Sequence, residues 1–390
     1  MTGAAHSVYA GNRRNLALQR EEFISQQVSF QLGELKISPT FEPTDVQCSP
    51  ASKSSLFLFY DPTKDRIRPE SWSAHLRRRD SDGEWTYDRQ GPKPRGHRNA
   101  EFLNDMRRFG LGCPVVANMQ DSVHEENTAF PVFQYNRRGG CRNSILWPLN
   151  CVHALGSRSF CSLPDPAERP LKEKSPVVFW RGAMVGTTNI GNRHANAHGM
   201  VKSFVEGKIG RDIFFAQLQS ISRYRFVSMF HDAEGFDVGF HHSRKTFFHR
   251  SGRAQNYAEV PELVGYEKPG ASPAEQAQSR YVVCLRGNDV GSSFGWQIGT
   301  SCVILKEEYP WEVFFYAHFK PWEHYVPISP DFRDVPAKVE WCENNLDACE
   351  EMNRKRHALI PLLLERQIRE EAMQRVVRRY EDFCRQSGVS

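Results

Sequence analysis

The chain has 390 residues, 25% charged and 39% hydrophobic, a globular balance that excludes wholesale disorder and suggests two domains of roughly 100–200 residues each. Its formal net charge of +5 is small for this length, and its basic stretches are interleaved with acids, as from Arg366 to Glu371, so no nucleic-acid partner is expected. No window approaches the roughly 18–20 apolar residues of a membrane-spanning helix, and residues 1–25 hold Arg13, Arg14, Arg20, Glu21 and Glu22 without an apolar block, which together predict a cytoplasmic protein.

Residues 1–55 are mixed and turn-rich, with no clear period. Leu56 to Tyr60 alternates like a strand, and Asp80-Ser81-Asp82-Gly83 before Trp85-Thr86-Tyr87 signals a hairpin. A short helix is expected over 101–109, then a strand at Val115-Val116. The Pro-rich, charged stretch from Pro164 to Pro176 reads as a linker. Beyond it, short apolar runs at Val177–Trp180, Tyr281–Leu285, Cys302–Leu305 and Tyr325–Ile328 read as buried strands, with helices expected near 193–206, from Ser293 and over 311–319. Such alternation predicts an α/β fold with a parallel sheet. From Val335 onward the apolar spacing is helical. These textures divide the chain into 1–165, 170–335 and a helical 336–390. The ten cysteines are scattered without a CxxC pair, so they read as reduced, buried thiols.

Ligands of parallel α/β sheets bind outside the carboxyl ends of the strands. Two loops there share one design. The first runs Trp180-Arg181-Gly182-Ala183-Met184-Val185-Gly186-Thr187-Thr188, continues to Gly191, and places Arg193 at the expected helix start. The second runs Arg286-Gly287-Asn288-Asp289-Val290-Gly291, with Ser292 or Ser293 as helix cap. Glycines let backbone approach a phosphate, and guanidinium groups with helix N-termini supply positive charge. Enzymes without a metal neutralise a departing diphosphate with such groups.

The stretch from Arg280 to Ile328, with Arg286-Gly287-Asn288-Asp289-Val290 and Lys320-Pro321-Trp322-Glu323-His324-Tyr325-Val326-Pro327, resembles glycosyltransferase family 90, and Phe179-Trp180-Arg181-Gly182 is similar to that family's upstream Arg-Gly element. The resemblance spans roughly 177–345 and is thin over 113–150; Asn288-Asp289-Val290 looks closer to the bacterial lipopolysaccharide branch. It implies a GT-B-like architecture of two Rossmann-like domains with C-terminal helices. In that arrangement 1–165 is the acceptor side, 170–335 binds the donor, and 336–390 packs on or bridges the two. It also implies inverting transfer from a nucleotide-sugar, UDP-linked by expectation, to a glycan or lipid-linked glycan. Neither cofactor nor metal is required. Carried over, Arg181, Gly182, Arg193, Arg286, Gly287 and Ser293 hold the diphosphate, with Asn288, Asp289 and Ser292 completing the second loop. Asp237, in Phe236-Asp237-Val238, is a further donor-side candidate. One departure is that Phe294 is followed by Gly295, Trp296 and Gln297, where many eukaryotic members have an arginine.

An inverting transfer needs a carboxylate to take the acceptor's proton. Val116 to Asp121, followed by Phe130-Pro131-Val132-Phe133 and Ile145-Leu146-Trp147-Pro148, matches the family's order of strand, Asp and Pro-containing apolar elements, which makes Asp121 the candidate base. Glu125, Glu126 and Asp105 are the fallbacks. Asp80-Ser81-Asp82 resembles a metal-binding Asp-x-Asp of GT-A enzymes, but sits in the expected hairpin turn. His231, His241, His242 and His249, with Asp232 and Asp237, fit no helical metal motif. The arginines from Arg354 to Arg379 alternate with glutamates, as on a solvated helix face; peripheral contact with an anionic inner-membrane surface is the alternative. The sequence therefore predicts a glycosyltransferase of lipopolysaccharide or capsule synthesis, the alternative being an inactive sugar-nucleotide or glycan-binding module of the same fold.

Overall fold

Runs of consecutive β-branched and aromatic residues can bury both faces, as the strands of a parallel sheet must, and the runs after residue 175 do so. In a computed structural model, described here for residues 3–36, 57–68, 75–79, 81–88, 96–121, 128–155, 157, 160–190, 193–241 and 257–388, the chain forms two compact units. The first comprises Met1–Phe160, Pro310–His318 and Pro361–Ser390; the second comprises Cys161–Tyr309 and Phe319–Ile360.

The first unit opens on a helix, α1 (Gly3–Leu32), where the sequence reading expected turns. Its inward positions Phe23, Ile24, Gln27, Val28, Gln31 and Leu32 are all buried. They recur at helical spacing, but the two glutamines hide the stripe from a hydrophobicity count. Next come β1 (Leu58–Asp61), β2 (Arg66–Arg68), β3 (Leu76–Arg78), β4 (Trp85–Tyr87) and α2 (Gly96–Arg108). After them follow β5 (Val115–Asn118), β6 (Val132–Gln134), β7 (Asn136–Arg138), β8 (Ser144–Leu146) and α3 (Asn150–His153). The central sheet has the order β2-β1-β5-β6-β8, with β5, β6 and β8 parallel and β1 antiparallel to its neighbours. The β3–β4 hairpin forms as expected.

The second unit contains β9 (Ser175–Gly182), β10 (Thr187–Ile190), β11 (Arg193–Asn196), α4 (Ala197–Val205), α5 (Arg211–Leu218), α6 (Ser222–Phe230) and β12 (Phe236–Phe240). It continues through α7 (Pro261–Gly265), α8 (Pro273–Gln276), β13 (Ser279–Cys284), α9 (Ser293–Gln297) and β14 (Val303–Glu307). The segment expected as a helix over 311–319 is instead β15 (Trp311–Val313), paired with β7 in the first unit, and a 3-10 turn at Phe314–His318. Trp311, Val313, Phe314 and Phe315 are all buried, which suits a strand and a tight turn inside a core rather than a one-sided helix. The chain ends with β16 (Val326–Ile328) in the second unit, then α10 (Val335–Asn344), α11 (Leu346–Leu364) and α12 (Arg366–Gln386), helical as expected.

The second sheet is wholly parallel, in the order β12-β9-β13-β14-β16. Counted by appearance this is 2-1-3-4-5, the doubly wound order whose switch point lies between the first and third strands, here β9 and β13. Alternate residues Val178 and Trp180, Tyr281 and Val283, Val303 and Leu305, Val326 and Ile328 share one core with Phe214, Leu218, Phe226 and Val227 of α5 and α6. Phe179, Val282 and Ile304 are buried on the opposite face.

Arg356 of α11 is fully buried and donates to four carbonyls: Ile298 (3.0 Å), His324 (3.1 Å), Thr300 (2.6 Å) and Cys302 (3.1 Å). Burial lowers its pKa to about 10, yet it holds the segment leading into β14 and the turn before β16 onto one helix. Replacing it with alanine takes a charged donor from each of the four carbonyls, of which Thr300 keeps only the His357 ring at 2.8 Å, and Arg356→Ala should cost about 3–5 kcal/mol in chemical denaturation.

Candidate functional site at the strand tips

The two arginine-bearing loops leave β9 and β13, the strands that flank the switch point. They are tied together. Thr187 Oγ1 donates to the Asn288 carbonyl at 2.8 Å. Arg223, in the first turn of α6, donates from Nε to the Arg286 carbonyl (3.1 Å) and from Nη1 to the Ala183 carbonyl (3.0 Å). A Cβ at Gly186 would stand 3.0 Å from Ile221 and 3.5 Å from the Gly287 carbonyl, so glycine permits the close approach.

Arg181 is turned toward β12. Its guanidinium pairs with Asp237 at 2.7 Å, donates to the Asp237, Trp180 and Pro269 carbonyls, and lies 4.6 Å over the Phe179 ring. Lys268 reaches the same Asp237 oxygen at 2.9 Å. Burial would raise the Asp237 carboxyl, but these two cations outweigh it and hold it below its ordinary value. Asp237 is thus the counter-ion of Arg181. Gly182 is required sterically, because a Cβ there would meet Trp180 at 2.8 Å. Trp180 itself is packed into the core against Phe240.

Arg286 leans the other way, toward Glu307 at the end of β14 (3.4 Å). Strand alternation places Glu307 on the face of Val303 and Leu305, beneath α6. There it is 1% exposed and accepts from Ser222 Oγ (2.6 Å) and the Arg286 N–H (2.9 Å). Burial raises its pKa against these partners. Within the second loop, Asp289 is buried and accepts from Val290 N–H, and Gly291 N–H donates to Tyr309 Oη at 2.8 Å. Ser292 stands before α9 without a side-chain cap bond, and Ser293 opens that five-residue helix.

Arg193 does not open a helix. Its backbone begins β11, paired with Ile190 of β10, and Asn196 caps α4 instead by accepting from Gly199 N–H at 2.8 Å. Thr187–Ile190 and Arg193–Asn196 pair as antiparallel strands, an outcome that a sequence rich in Gly, Thr and Asn allows as readily as a helix entry. The Arg193 side chain lies outside the described residues, as do Glu125, Glu126, His242, His249 and Asp80. Asp82 serves its own turn, accepting from Arg79 (3.1 Å) and Glu84 N–H (2.9 Å). Among the described residues no three His, Cys, Asp or Glu side chains are grouped to hold a metal.

Residues 263–387, which include the second loop, match glycosyl transferase family 90. That match takes in roughly the last third of the chain. The chain is similar to O-glucosyltransferase LpsA of Dichelobacter nodosus, 27% identical over 53% of this chain and 48% of that protein. Mouse protein O-glucosyltransferase 3 is 33% identical over 17% of this chain and 13% of its own length. The uncharacterized protein 035R of Invertebrate iridescent virus 3 is 32% identical over 21% of this chain, which spans only 8% of that protein. The family resemblance read from the sequence is therefore borne out, and the family 90 match takes in β13, β14 and the aromatic turn around His324. That histidine is structural in its contacts: Nδ1 accepts from Lys320 N–H at 3.0 Å.

In the first unit Asp121 lies three residues beyond β5. Its Oδ1 accepts from Arg98 (2.9 Å) and from Tyr135 Oη (2.7 Å), while the Arg98 guanidinium lies 4.6 Å over the Tyr135 ring and also donates to the Met119 carbonyl. The fallback Asp105 is spent differently: Trp147 Nε1 donates to Oδ2 (3.0 Å) and Arg108 pairs with Oδ1 (3.0 Å). It lines a recess of about 420 Å³ with Glu101, Arg108, Arg366, Arg369 and Glu370. Burial pushes the Asp105 carboxyl up to about 6. With a folded pKa above the unfolded value, the folded chain keeps this proton longer; that advantage is complete below pH ~4 and lost as pH rises through about 6. The wild type should therefore gain up to about 3 kcal/mol between pH ~7 and ~4 in denaturant titrations relative to Asp105→Asn, which lacks this term.

Proposed function

We propose that the protein is an inverting glycosyltransferase of GT-B-like arrangement. It takes a sugar from a nucleoside-diphosphate donor, UDP-linked, at the switch-point crevice of the second unit, and places it on a glycan hydroxyl. The observation that carries this reading is the convergence of two arginine loops, tied by Thr187 and Arg223, at the tips of the two strands where a 2-1-3-4-5 sheet binds ligands. The family 90 match and the likeness to proteins named as O-glucosyltransferases support the chemistry. The chain spans about half the length of LpsA and far less of the other relatives, so acceptor and pathway are assigned here by analogy: a lipopolysaccharide or capsular glycan.

In this reaction Asp121 takes the proton of the acceptor hydroxyl as its oxygen attacks the anomeric carbon, and the bond to the diphosphate oxygen breaks with its electron pair on the diphosphate. Arg98 and Tyr135 fix the carboxylate's orientation for that transfer. The loop arginines and backbone amides meet the charge gathering on the leaving group. No helix among the described residues is long and apolar enough to cross a membrane; contact with a lipid-linked acceptor would be peripheral, through the arginine-bearing face of α12.

Transfer from a UDP-sugar should persist in EDTA. Asp121→Asn should lower kcat by about 10²–10⁴-fold with little change in donor KM, measured by release of free nucleoside diphosphate. Nucleotide binding without turnover over a broad acceptor panel would instead favour the inactive binding module, a reading prompted by the engagement of Arg181 and Arg286 with carboxylates.

A further inference from the structure

Three arginines stand at the strand tips among the described residues, and they are not equivalent. Arg181 is paired with Asp237 and Arg286 with Glu307. Arg223 has no carboxylate within ion-pair distance among the described residues; it is held by two carbonyls, one from each loop. Those bonds use Nε and Nη1. Its Nη2 makes no hydrogen bond among the described residues and lies 3.3 Å from where a Cβ on Gly287 would stand. The Trp180 ring, 5.8 Å behind the guanidinium, backs its plane.

We propose that Arg223 presents the guanidinium edge that meets the donor's diphosphate, with Gly287 kept free of a side chain so that this edge stays open. The proposal rests on the donor-site reading above and assigns its principal cation, which the two Arg-Gly loops had not suggested. A guanidinium can grip two carbonyls and still offer an N–H edge to a phosphate, because its five donors point in a fixed fork. A lysine ammonium at the same place cannot span both loops and the ligand. Protein crowded around Arg223 lowers its pKa, so the charge is poorly hydrated and gains more from an incoming dianion. Arg181 and Arg286, each paired with a carboxylate, then add less to meeting that charge than Arg223 does.

The test is calorimetric titration of the intact protein with inorganic pyrophosphate and, separately, with uridine. The expected result is measurable pyrophosphate binding by the wild type, weakened about 10-fold or more in Arg223→Lys, with uridine affinity unchanged. Arg286→Lys should have a smaller effect. Gly287→Ala, which leaves every charge in place and crowds the Nη2 edge, should weaken pyrophosphate several-fold and serves alone if Arg223→Lys does not fold. Pyrophosphate binding retained in Arg223→Lys but lost in Arg286→Lys would overturn the proposal. So would an equal loss of uridine and pyrophosphate affinity, which marks a residue that only holds the loops. A wild type that binds neither pyrophosphate nor any nucleoside diphosphate would instead sink the donor-site reading, and the assignment with it.

Discussion

A buried carboxylate organises the strand tips of the second unit. Glu307 is withdrawn from water at the end of β14, where ionisation is costly unless donors converge on it. Three do: the Ser222 hydroxyl, the Arg286 N–H and the Arg286 guanidinium. Ser222 begins α6, so the same carboxylate sets both the second loop and the helix that delivers Arg223 to it. The first turn of α6 also brings the positive end of a helix dipole to the strand tips. Without the Glu307 side chain's contacts the second loop loses its tie to Ser222 and β14, and the bonds from Thr187 and Arg223 alone hold the loops together.

Much of this arrangement was legible in the sequence because it is local. Continuous apolar runs gave the parallel strands, and the Arg-Gly pairs mark the carboxyl ends of two of them, which the strand order places beside the switch point. What stayed hidden is long-range. Arg223 belongs to no motif, and nothing in its spacing shows that it meets carbonyls 40 and 63 positions away. Glu307 sits in Lys306-Glu307-Glu308, which looks like a polar strand end. Strand alternation offers the only clue, since it continues the Val303 and Leu305 face. Arg193 was misplaced because glycine, asparagine and threonine serve a hairpin and a helix entry equally well.

The first unit handles charge by pairing rather than by convergence. Arg108 and Arg366 share Glu370, and Arg375 joins Glu21 to Glu371. Alternation of arginine and glutamate along α12 therefore becomes a lattice of ion pairs, part of it reaching α1 and α2. Individually such exposed pairs contribute little. Around Asp121 the pairing is more selective, a guanidinium and a phenol on one carboxylate oxygen. That is an arrangement for aiming a group, not merely for neutralising it.

The glutamines of α1 have a further meaning. Gln27 donates to the Phe314 carbonyl and Gln31 to the Leu146 carbonyl, while His318 stacks on Phe23 and meets Gln27 at 2.9 Å. A helix seated only by Phe23, Ile24, Val28 and Leu32 could slide by one turn, about 5.4 Å, and still bury grease against grease. Amides matched to particular carbonyls cannot, because the shifted helix would strand both donors and both acceptors in a dry interior. The amino-terminal helix thus has a single seat, and the residues that disguise its periodicity are the ones that give it an address.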